Sequence, residues 1–171
     1  MVSQEDLLKL DNNSDWPFEL DGVMCRTMES LLQSLKFSFP EKQKEVLSMS
    51  AEDAIKEARA CGVNDLWRES GCFYWMGKKY DKKDTGSIEF LYKAYFAKMM
   101  YPAENGDILF LILQKATELE LNHHFAHYSY PDASIVYSKE QNRILLAMKN
   151  GQQIEDFISE KDFWSFPSFP D

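Results

Sequence analysis

Three polar side chains follow one another at helical spacing in the first quarter of the chain. Glu29, Gln33 and Lys36 stand at positions i, i+4 and i+7, so on a helix they project within about 40° of one another. They offer a carboxylate, an amide that donates and accepts, and an ammonium group. The helix dipole would favour an ionised Glu29, which suits a group that stabilises positive charge. The alternative is a solvated stripe, which most amphipathic helices carry.

The three histidines of the chain lie together in the segment HHFAH, as His123, His124 and His127. Two of them are three residues apart, but no carboxylate follows at the spacing of a metal site. We interpret them as partners of a helix C-terminus, where cationic side chains are favourable. The common phosphate-loop, dinucleotide-binding and serine-hydrolase motifs do not occur in the sequence. We therefore predict neither a metal nor a cofactor.

The charge balance restricts the partners that the protein can have. Nineteen Lys and Arg oppose 28 Asp and Glu, for a net charge of −9, which opposes non-specific binding to nucleic acid. A phosphorylated small molecule would need a local basic cluster. The longest apolar run, ILFLILQ, is far shorter than the roughly 20 residues of a membrane span. Three cysteines without metal spacing are typical of a reducing compartment, so we expect a cytoplasmic protein with no membrane contact.

Helices must position the polar side chains. An apolar, alternating run around Asp21 and Gly22 predicts a small β-hairpin. Thr27 can cap the helix that follows, which carries the Glu29 stripe. Ser50 and Gly62 then bracket a second helix from both ends.

The rest of the chain supports a mainly α fold, with one compact domain over residues 10–150 and a small β-hairpin or sheet. A helical pattern runs from Ile88 to Met99 and is stopped by Pro102. The segment GDILFLILQKATELEL predicts a further buried helix. Residues 62–87 have no sustained period and are interpreted as an irregular insert that ends in a solvated loop. Residues 151–171 form a C-terminal aromatic tail.

The segment DGVMCRTMESLLQSLKF, residues 21–37, resembles the motif D-G-x-x-W-x-x-x-E-H-x-x-Q-x-x-K-F of the NADAR (YbiA-like) N-glycosidase family. Similarity continues over residues 10–149. The resemblance implies a single compact NADAR/YbiA-like domain. Cys25, Ser30 and Ile135 stand where the family has a tryptophan, a histidine and a second tryptophan.

The resemblance also implies an activity, the hydrolysis of a ribose–base N-glycosidic bond in an ADP-ribosyl-guanine or phosphoribosylamino-pyrimidine type of substrate. Such a reaction passes through an oxocarbenium-like sugar and uses two carboxyl groups. Glu29 and Asp132 are the expected catalytic pair. Either Trp67 or Trp75 would stack on the base. The expected substrate-binding residues are Asn12, Arg26, Gln33, Lys36, Trp67, Trp75 and Asn142.

Two other functions remain open at this point. A catalytically degenerate relative would bind an ADP-ribose or nucleotide ligand, or a protein partner, without cleaving anything. The replaced family positions favour this alternative, whereas Glu29 and Asp132 together favour the enzyme. A pure interaction protein would use the aromatic tail over residues 163–170, whose large side chains either dock on the domain or bind a partner.

Overall fold

A computed structural model describes residues 1–102, 106–128, 133–159 and 163–164. Its helices are α1 (Gln4–Leu8), α2 (Met28–Ser34), α3 (Pro40–Leu47), α4 (Ala51–Ala60), α5 (Val63–Ser70), α6 (Thr85–Met100), α7 (Ile108–Lys115), α8 (Glu118–His127), α9 (Ser138–Lys149) and α10 (Ile154–Ile158). Its strands are β1 (Phe18–Leu20), β2 (Val23–Cys25), β3 (Cys72–Trp75) and β4 (Lys78–Asp81), in two antiparallel hairpins. The prediction of a mainly helical fold with a small amount of sheet is confirmed.

The first hairpin and the helix after it form as predicted. Asp21 and Gly22 both have positive φ, 52° and 77°, as a tight turn between β1 and β2 requires. Thr27 then caps α2, because its hydroxyl accepts a hydrogen bond from the backbone N–H of Ser30 at 2.9 Å. The turn and the cap together fix where α2 begins, and hence which way its polar stripe faces.

Helix α2 lies in the interior of the domain, and all seven of its residues are buried. It packs against α3, α4 and β2. Helix α4 presents the small side chains Ala54 and Ala58 to this packing, and both are buried. The polar stripe of α2 is therefore enclosed by protein on several sides, and it is not a solvated face.

The segment 62–87 is regular, so the prediction of an irregular insert was wrong. It contains α5 and the second hairpin, β3 with β4. Gly62 and Gly71 take left-handed φ values of 73° and 65° at the two ends of α5, which lets a short helix begin and end abruptly. Met76 and Gly77, both with positive φ, make the hairpin turn.

The apolar segment after Gly106 forms two helices where one was expected. Helix α7 ends at Lys115, and α8 begins after Thr117, whose side chain and backbone form a capping box with Glu120. Helix α8 packs on α9. None of the helices within the described ranges is long and apolar enough to cross a membrane.

The beginning of the aromatic tail packs on the domain. Phe163 is buried, and its ring lies 5.6 Å, centre to centre, from that of Phe157 in α10. Trp164 packs against the same core. The other aromatic residues of the tail, Phe166 and Phe169, lie outside the described residues, so a partner-binding role for 163–170 stays a prediction.

Candidate functional site

The polar stripe of α2 forms a continuous chain of hydrogen bonds. The amide nitrogen of Gln33 is 3.4 Å from Oε1 of Glu29, and the amide oxygen of Gln33 accepts from Nζ of Lys36 at 2.8 Å. Lys36 also donates to Oδ1 of Asn64, in α5, at 2.7 Å. These four residues are called the Glu29 network. The sequence placed three of them together, and the fourth comes from the segment that was predicted to be irregular.

Burial changes the acid–base properties of this network. Glu29 is only 1% exposed and Lys36 only 4%. Loss of water raises the pKa of Glu29 from 4.5 to about 7, against the opposing effects of Lys36 and Gln33. Loss of water likewise lowers the pKa of Lys36 from 10.5 to about 8. The helix dipole was expected to favour the ionised form of Glu29, and desolvation acts in the opposite direction.

The carboxyl group of Glu29 has one oxygen with no partner. Its Oε2 is buried and makes no hydrogen bond within the described part of the chain, and the same holds for Nδ2 of Asn12. Asn12 is adjacent, because its carbonyl accepts from the backbone N–H of Glu29 at 2.7 Å. The Asn12 side chain is fixed by the hydroxyl of Tyr95, which donates to Oδ1 at 2.9 Å. Two unpartnered polar atoms on neighbouring buried residues are an arrangement that a ligand or water can complete.

Tyr128 belongs to the same electrostatic environment. Burial raises the pKa of its hydroxyl, and the negative charges of Asp11 and Glu29 raise it further. It directly precedes residues 129–132, which are not described. Asp132 is among them, so the predicted second catalytic carboxylate stays a prediction.

A second buried network, around Lys98 of α6, was not foreseen from the sequence. The Lys98 ammonium donates to the carbonyls of Leu10 and Asp11 at 3.2 and 2.6 Å and to the hydroxyl of Ser14 at 3.3 Å. Burial lowers its pKa to about 7, while Asp11 acts in the opposite direction. These bonds hold the loop that carries Asn12. The helical pattern from Ile88 to Met99 gave no sign of this, because a lysine within an amphipathic helix usually faces water.

One of the three histidines also has a role that was not predicted. The Nε2 of His124 lies 2.6 Å from Oδ1 of Asp11, and both side chains are buried. The interpretation as a partner of the helix C-terminus misses this contact, since it joins α8 to the loop before β1. His123 and His127 instead pack ring against ring, 4.7 Å apart. In the described ranges, no three His, Cys, Asp or Glu side chains form a metal-binding group.

Several predicted substrate-binding residues make their contacts elsewhere. Arg26 is exposed and forms a 3.5 Å ion pair with Asp15. Trp75 donates from its ring nitrogen to Asp21 at 2.9 Å, so it braces the first hairpin. Asn142 donates to Asn122 of α8 at 2.8 Å. None of these contacts links the three residues to Glu29, so their substrate-binding role stays a prediction.

Two cavities adjoin the Lys36 end of the network. A cavity of about 210 Å³ is lined by Arg59, Gly62, Asn64, Asp65 and Arg68. A larger one, of about 480 Å³, has Lys36 and Trp67 in its lining. The Lys36–Asn64 hydrogen bond joins the walls of the two. Trp67, unlike Trp75, therefore lies near the network.

Comparison with known proteins gives a family. Residues 7–150 match the family model described as bacteriophage protein GP30.3. A protein of Enterobacteria phage T4, described as an uncharacterized 17.1 kDa protein in the Gp30-rIII intergenic region, is 26% identical over 87 residues, which are 51% of this chain. The matched part spans 55% of that phage protein's length. No solved structure matches the chain.

The resemblance to the NADAR family is overturned by this match. The family model covers residues 7–150, nearly the same segment for which the resemblance was drawn. The D-G and E-x-x-x-Q-x-x-K spacing has a local cause here, since Asp21 and Gly22 make a tight turn and the other three make one buried hydrogen-bonded stripe. A short motif on one turn and one helix was insufficient to identify a family.

Proposed function

We propose that this chain, which belongs to the bacteriophage GP30.3 family, hydrolyses the N-glycosidic bond between a ribose and a base. In this proposal Glu29 is the acid–base group. The substrate is a small phosphorylated molecule of the ADP-ribosyl or phosphoribosyl type. The single observation that carries the proposal is a buried carboxyl group with a pKa near neutrality and one oxygen without a partner.

The pKa of Glu29 suits proton transfer at neutral pH. An acid–base group works best when its pKa lies near the working pH, because both of its forms are then accessible. Burial brings Glu29 into that range, with a pKa of about 7. Perturbed carboxyl groups are concentrated at functional sites, although structural networks also perturb them. The free Oε2 atom separates this case from a fully satisfied structural network, in which each polar atom has a partner.

The reaction assigns Glu29 two successive roles. The bond between the anomeric carbon and the base nitrogen breaks, its electron pair stays on the nitrogen, and protonated Glu29 gives the departing base its proton. Water then adds to the anomeric carbon and returns a proton to the Glu29 carboxylate. One water is consumed, and the products are the free sugar and the protonated base nitrogen. The ionised carboxylate meanwhile faces the positive charge of the oxocarbenium-like sugar.

Basic side chains near the Lys36 end of the network can bind a phosphate group of the substrate. Two arginines, Arg59 and Arg68, line the 210 Å³ cavity together with Asn64. The Oδ1 atom of Asn64 accepts a hydrogen bond from Nζ of Lys36 at 2.7 Å. Guanidinium groups bind phosphate through paired hydrogen bonds. In a chain of net charge −9, such a local cluster is what an anionic substrate needs. Asp132, the second of the two expected catalytic carboxyl groups, is assigned the role of orienting the water.

The test compares base release by the wild-type protein, Glu29→Gln and Glu52→Gln. Incubation with ADP-ribosylated guanosine or a phosphoribosylaminopyrimidine, followed by chromatography of the free base, measures the rate. Glu29→Gln keeps the shape of the side chain and removes its proton transfer, so we expect a fall of about 10²–10³ in rate. Glu52 occupies the same first-turn position of α4 but is 77% exposed, so its replacement should leave the rate unchanged.

Two results would contradict the proposal. Equal turnover by Glu29→Gln and the wild type would remove Glu29 from the mechanism. If a folded wild-type protein released no base from either substrate, the proposed hydrolase activity would be excluded. Circular dichroism of each variant shows that it is folded before its rate is compared.

A binding protein without catalysis is the second candidate, and one observation favours it. The 480 Å³ cavity is lined by Lys36 and not by Glu29, which is 1% exposed. A ligand could therefore reach the cationic end of the network without touching the carboxyl group. Calorimetric titration with ADP-ribose separates the candidates, because a binder gives heat with the wild type and with Glu29→Gln and releases no base with either.

A further inference from the structure

The cavity of about 480 Å³ beside Lys36 has an aromatic wall. It opens between the end of α2, the start of α3, and α5 with β3. We call it the Trp67 cavity. Its volume lies in the range of about 300–1,000 Å³ that binding sites occupy. Aromatic side chains from separate parts of the chain meet in it, and they are Phe37, Phe39, Trp67 and Tyr74.

The cations in the lining already have partners. The ammonium group of Lys42 lies 2.8 Å from a carboxylate oxygen of Glu57 and 3.3 Å from one of Glu45. The ammonium group of Lys36 donates to two amide oxygens. The charges of the lining therefore do not select an occupant, and its apolar surface has to.

Apolar side chains are left in water at the rim of the Trp67 cavity. Phe39 is 73% exposed and Leu66 is 60% exposed, and both belong to the lining. Trp67, deeper in, is almost fully buried. Covering such a rim with apolar groups is favourable, and aromatic rings pack well against other rings. An exposed apolar patch beside a cavity is typical of a binding surface.

The chain brings further aromatic residues to this wall. The ring of Trp164 lies 6.2 Å, centre to centre, from that of Trp67, and Trp164 is the last residue that the structure describes. Residues 165–170 follow it with the sequence SFPSFP. At about 3.3 Å per extended residue, Phe166 can lie up to about 7 Å and Phe169 up to about 17 Å from Trp164. Both phenylalanines are therefore tethered within reach of the cavity.

The sequence of residues 165–170 suits an aromatic groove. Each of its two phenylalanines precedes a proline, which biases it towards extended conformations. Its last four residues, PSFP, have the spacing P-x-x-P. Segments with this spacing favour the polyproline II helix, in which residues three apart project from the same side, and they dock in grooves lined by aromatic side chains.

We propose that the Trp67 cavity is the docking site for residues 165–170 of the same chain, with the rings of Phe166 and Phe169 against its aromatic wall and rim. The tether through Trp164 gives the segment an effective concentration in the millimolar range, so weak contacts are enough to hold it. The docked segment would cover the Lys36 side of the Glu29 network, and any other occupant would have to displace it. This proposal goes beyond the proposed hydrolysis, because it would hold if Glu29 did no chemistry.

Photochemical crosslinking tests where the segment lies. Phe169 is replaced with p-benzoylphenylalanine in the full chain, and mass spectrometry identifies the peptides that become linked to it on irradiation. We expect links within one chain to the peptides that carry Phe39 and Leu66. The matched control has the same photoreactive residue at Leu119, which is 77% exposed on α8 and lies outside the lining. The control should give no link to these peptides.

Alkylation of Cys61 tests the occupancy of the cavity without a foreign side chain. Cys61 is an exposed thiol that belongs to the lining, so a docked segment should shield it from N-ethylmaleimide. In the full chain, Phe166→Ser combined with Phe169→Ser should speed its alkylation at least about threefold, because a segment at millimolar effective concentration is docked most of the time. Ser165→Ala combined with Ser168→Ala is the matched control and should leave the rate unchanged.

Three results would each overturn the proposal. Links to Phe169 that avoid the peptides of the lining would place the segment elsewhere. Links that join two chains would make the occupant a second copy of the protein. Equal alkylation rates of Cys61 in the wild type and in the double phenylalanine variant would show that the segment leaves the cavity open. Circular dichroism of each variant shows that it is folded before it is compared.

Discussion

Helices α2 and α4 carry the same kind of polar stripe and differ in what surrounds it. Both begin with a hydroxyl cap and have an acidic residue in the first turn, and a lysine follows, within α4 as Lys56 and two residues past the end of α2 as Lys36. In α4, Glu52 and Lys56 form a 3.0 Å ion pair while 77% and 64% exposed. In the stripe that begins on α2, Glu29 and Lys36 are joined through Gln33 and are almost fully buried. The same residue types give a solvated pair in one place and a perturbed network in the other.

The difference comes from packing and not from the helices themselves. Helix α4 has one face against α2 and α3 and one face in water. Helix α2 has α3 and α4 beside it and the Asn12 loop at its first turn, where the carbonyl of Asn12 accepts from Glu29. Removing water from a charged side chain is costly unless a partner compensates. Burial of the stripe therefore brings the pKa of Glu29 to about 7.

The largest effect is expected from removing the lysine of each stripe. Lys36→Met takes away the donor to Gln33 and Asn64 and leaves Glu29 as a buried carboxylate without its cation. We expect a loss of about 3–5 kcal/mol in the free energy of unfolding above pH 7, the usual result of breaking a buried pair. Lys56→Met should cost less than about 0.5 kcal/mol. Urea denaturation of both variants at pH 7.5 measures this, and equal losses would refute the comparison.

A smaller effect is expected in the pH dependence of stability. Glu29 has a pKa of about 7 in the folded protein and 4.5 when unperturbed. Between these values the folded state binds more protons than the unfolded state, so the contribution of Glu29 to stability is full below pH 4.5 and is lost as the pH rises through 7. The stability of the wild type relative to Glu29→Gln should therefore fall by on the order of 1–3 kcal/mol from pH 4.5 to 7.5.

The comparison with Glu29→Gln removes titrations that both proteins share. Lys98, for example, also has a lowered pKa, of about 7, but it is present in each. Glu52→Gln, at an exposed carboxyl group in α4, is measured alongside as the matched control. A constant difference between the wild type and Glu29→Gln would show that burial does not perturb Glu29.

The local structure could largely be read from the sequence. The Asp21–Gly22 turn and the caps at Thr27 and Ser50 depend on neighbouring residues, and the structure confirms them. The segment from Gly62 was misjudged, because its helix is only eight residues long and its hairpin turn is Met-Gly, which lacks the usual Asn or Asp signal. Short elements offer too few positions for a period to be detected.

The candidate site was predicted only in part, for a reason that concerns distance along the chain. The spacing of Glu29, Gln33 and Lys36 is local, and the structure joins them. Lys98 holds the Asn12 loop through contacts between residues more than 80 positions apart. The hydrophobic periodicity of a sequence cannot predict such a contact. Periodicity shows which residues share a face of a helix, and tertiary packing decides whether that face is dry.

Removal of the two helix caps is expected to give the next largest loss of stability. Thr27→Ala removes the acceptor for the N–H of Ser30 and also a buried 2.8 Å contact with the Ser30 hydroxyl. Ser50→Ala removes a comparable acceptor, 3.2 Å from the N–H of Asp53, at an exposed helix end. We expect losses of about 1–2 kcal/mol for Thr27→Ala and about 0.5–1 kcal/mol for Ser50→Ala. Denaturation at one pH compares them. A greater loss for Ser50→Ala would contradict the view that α2 has the drier environment.

The smallest expected effect is the coupling energy between Glu52 and Lys56, which high salt should abolish. A double-mutant cycle of Glu52→Gln and Lys56→Met should give a coupling energy of about 0.3–0.5 kcal/mol, as for other exposed pairs four residues apart. The Debye length falls to about 3 Å in 1 M salt, so this coupling should then disappear. The corresponding cycle of Glu29→Gln and Lys36→Met should keep most of its coupling in the same salt, because ions do not enter a buried network. Equal salt sensitivity of the two cycles would mean that water and ions reach Glu29 as freely as they reach Glu52, and the difference between the two helices would then lie in geometry alone.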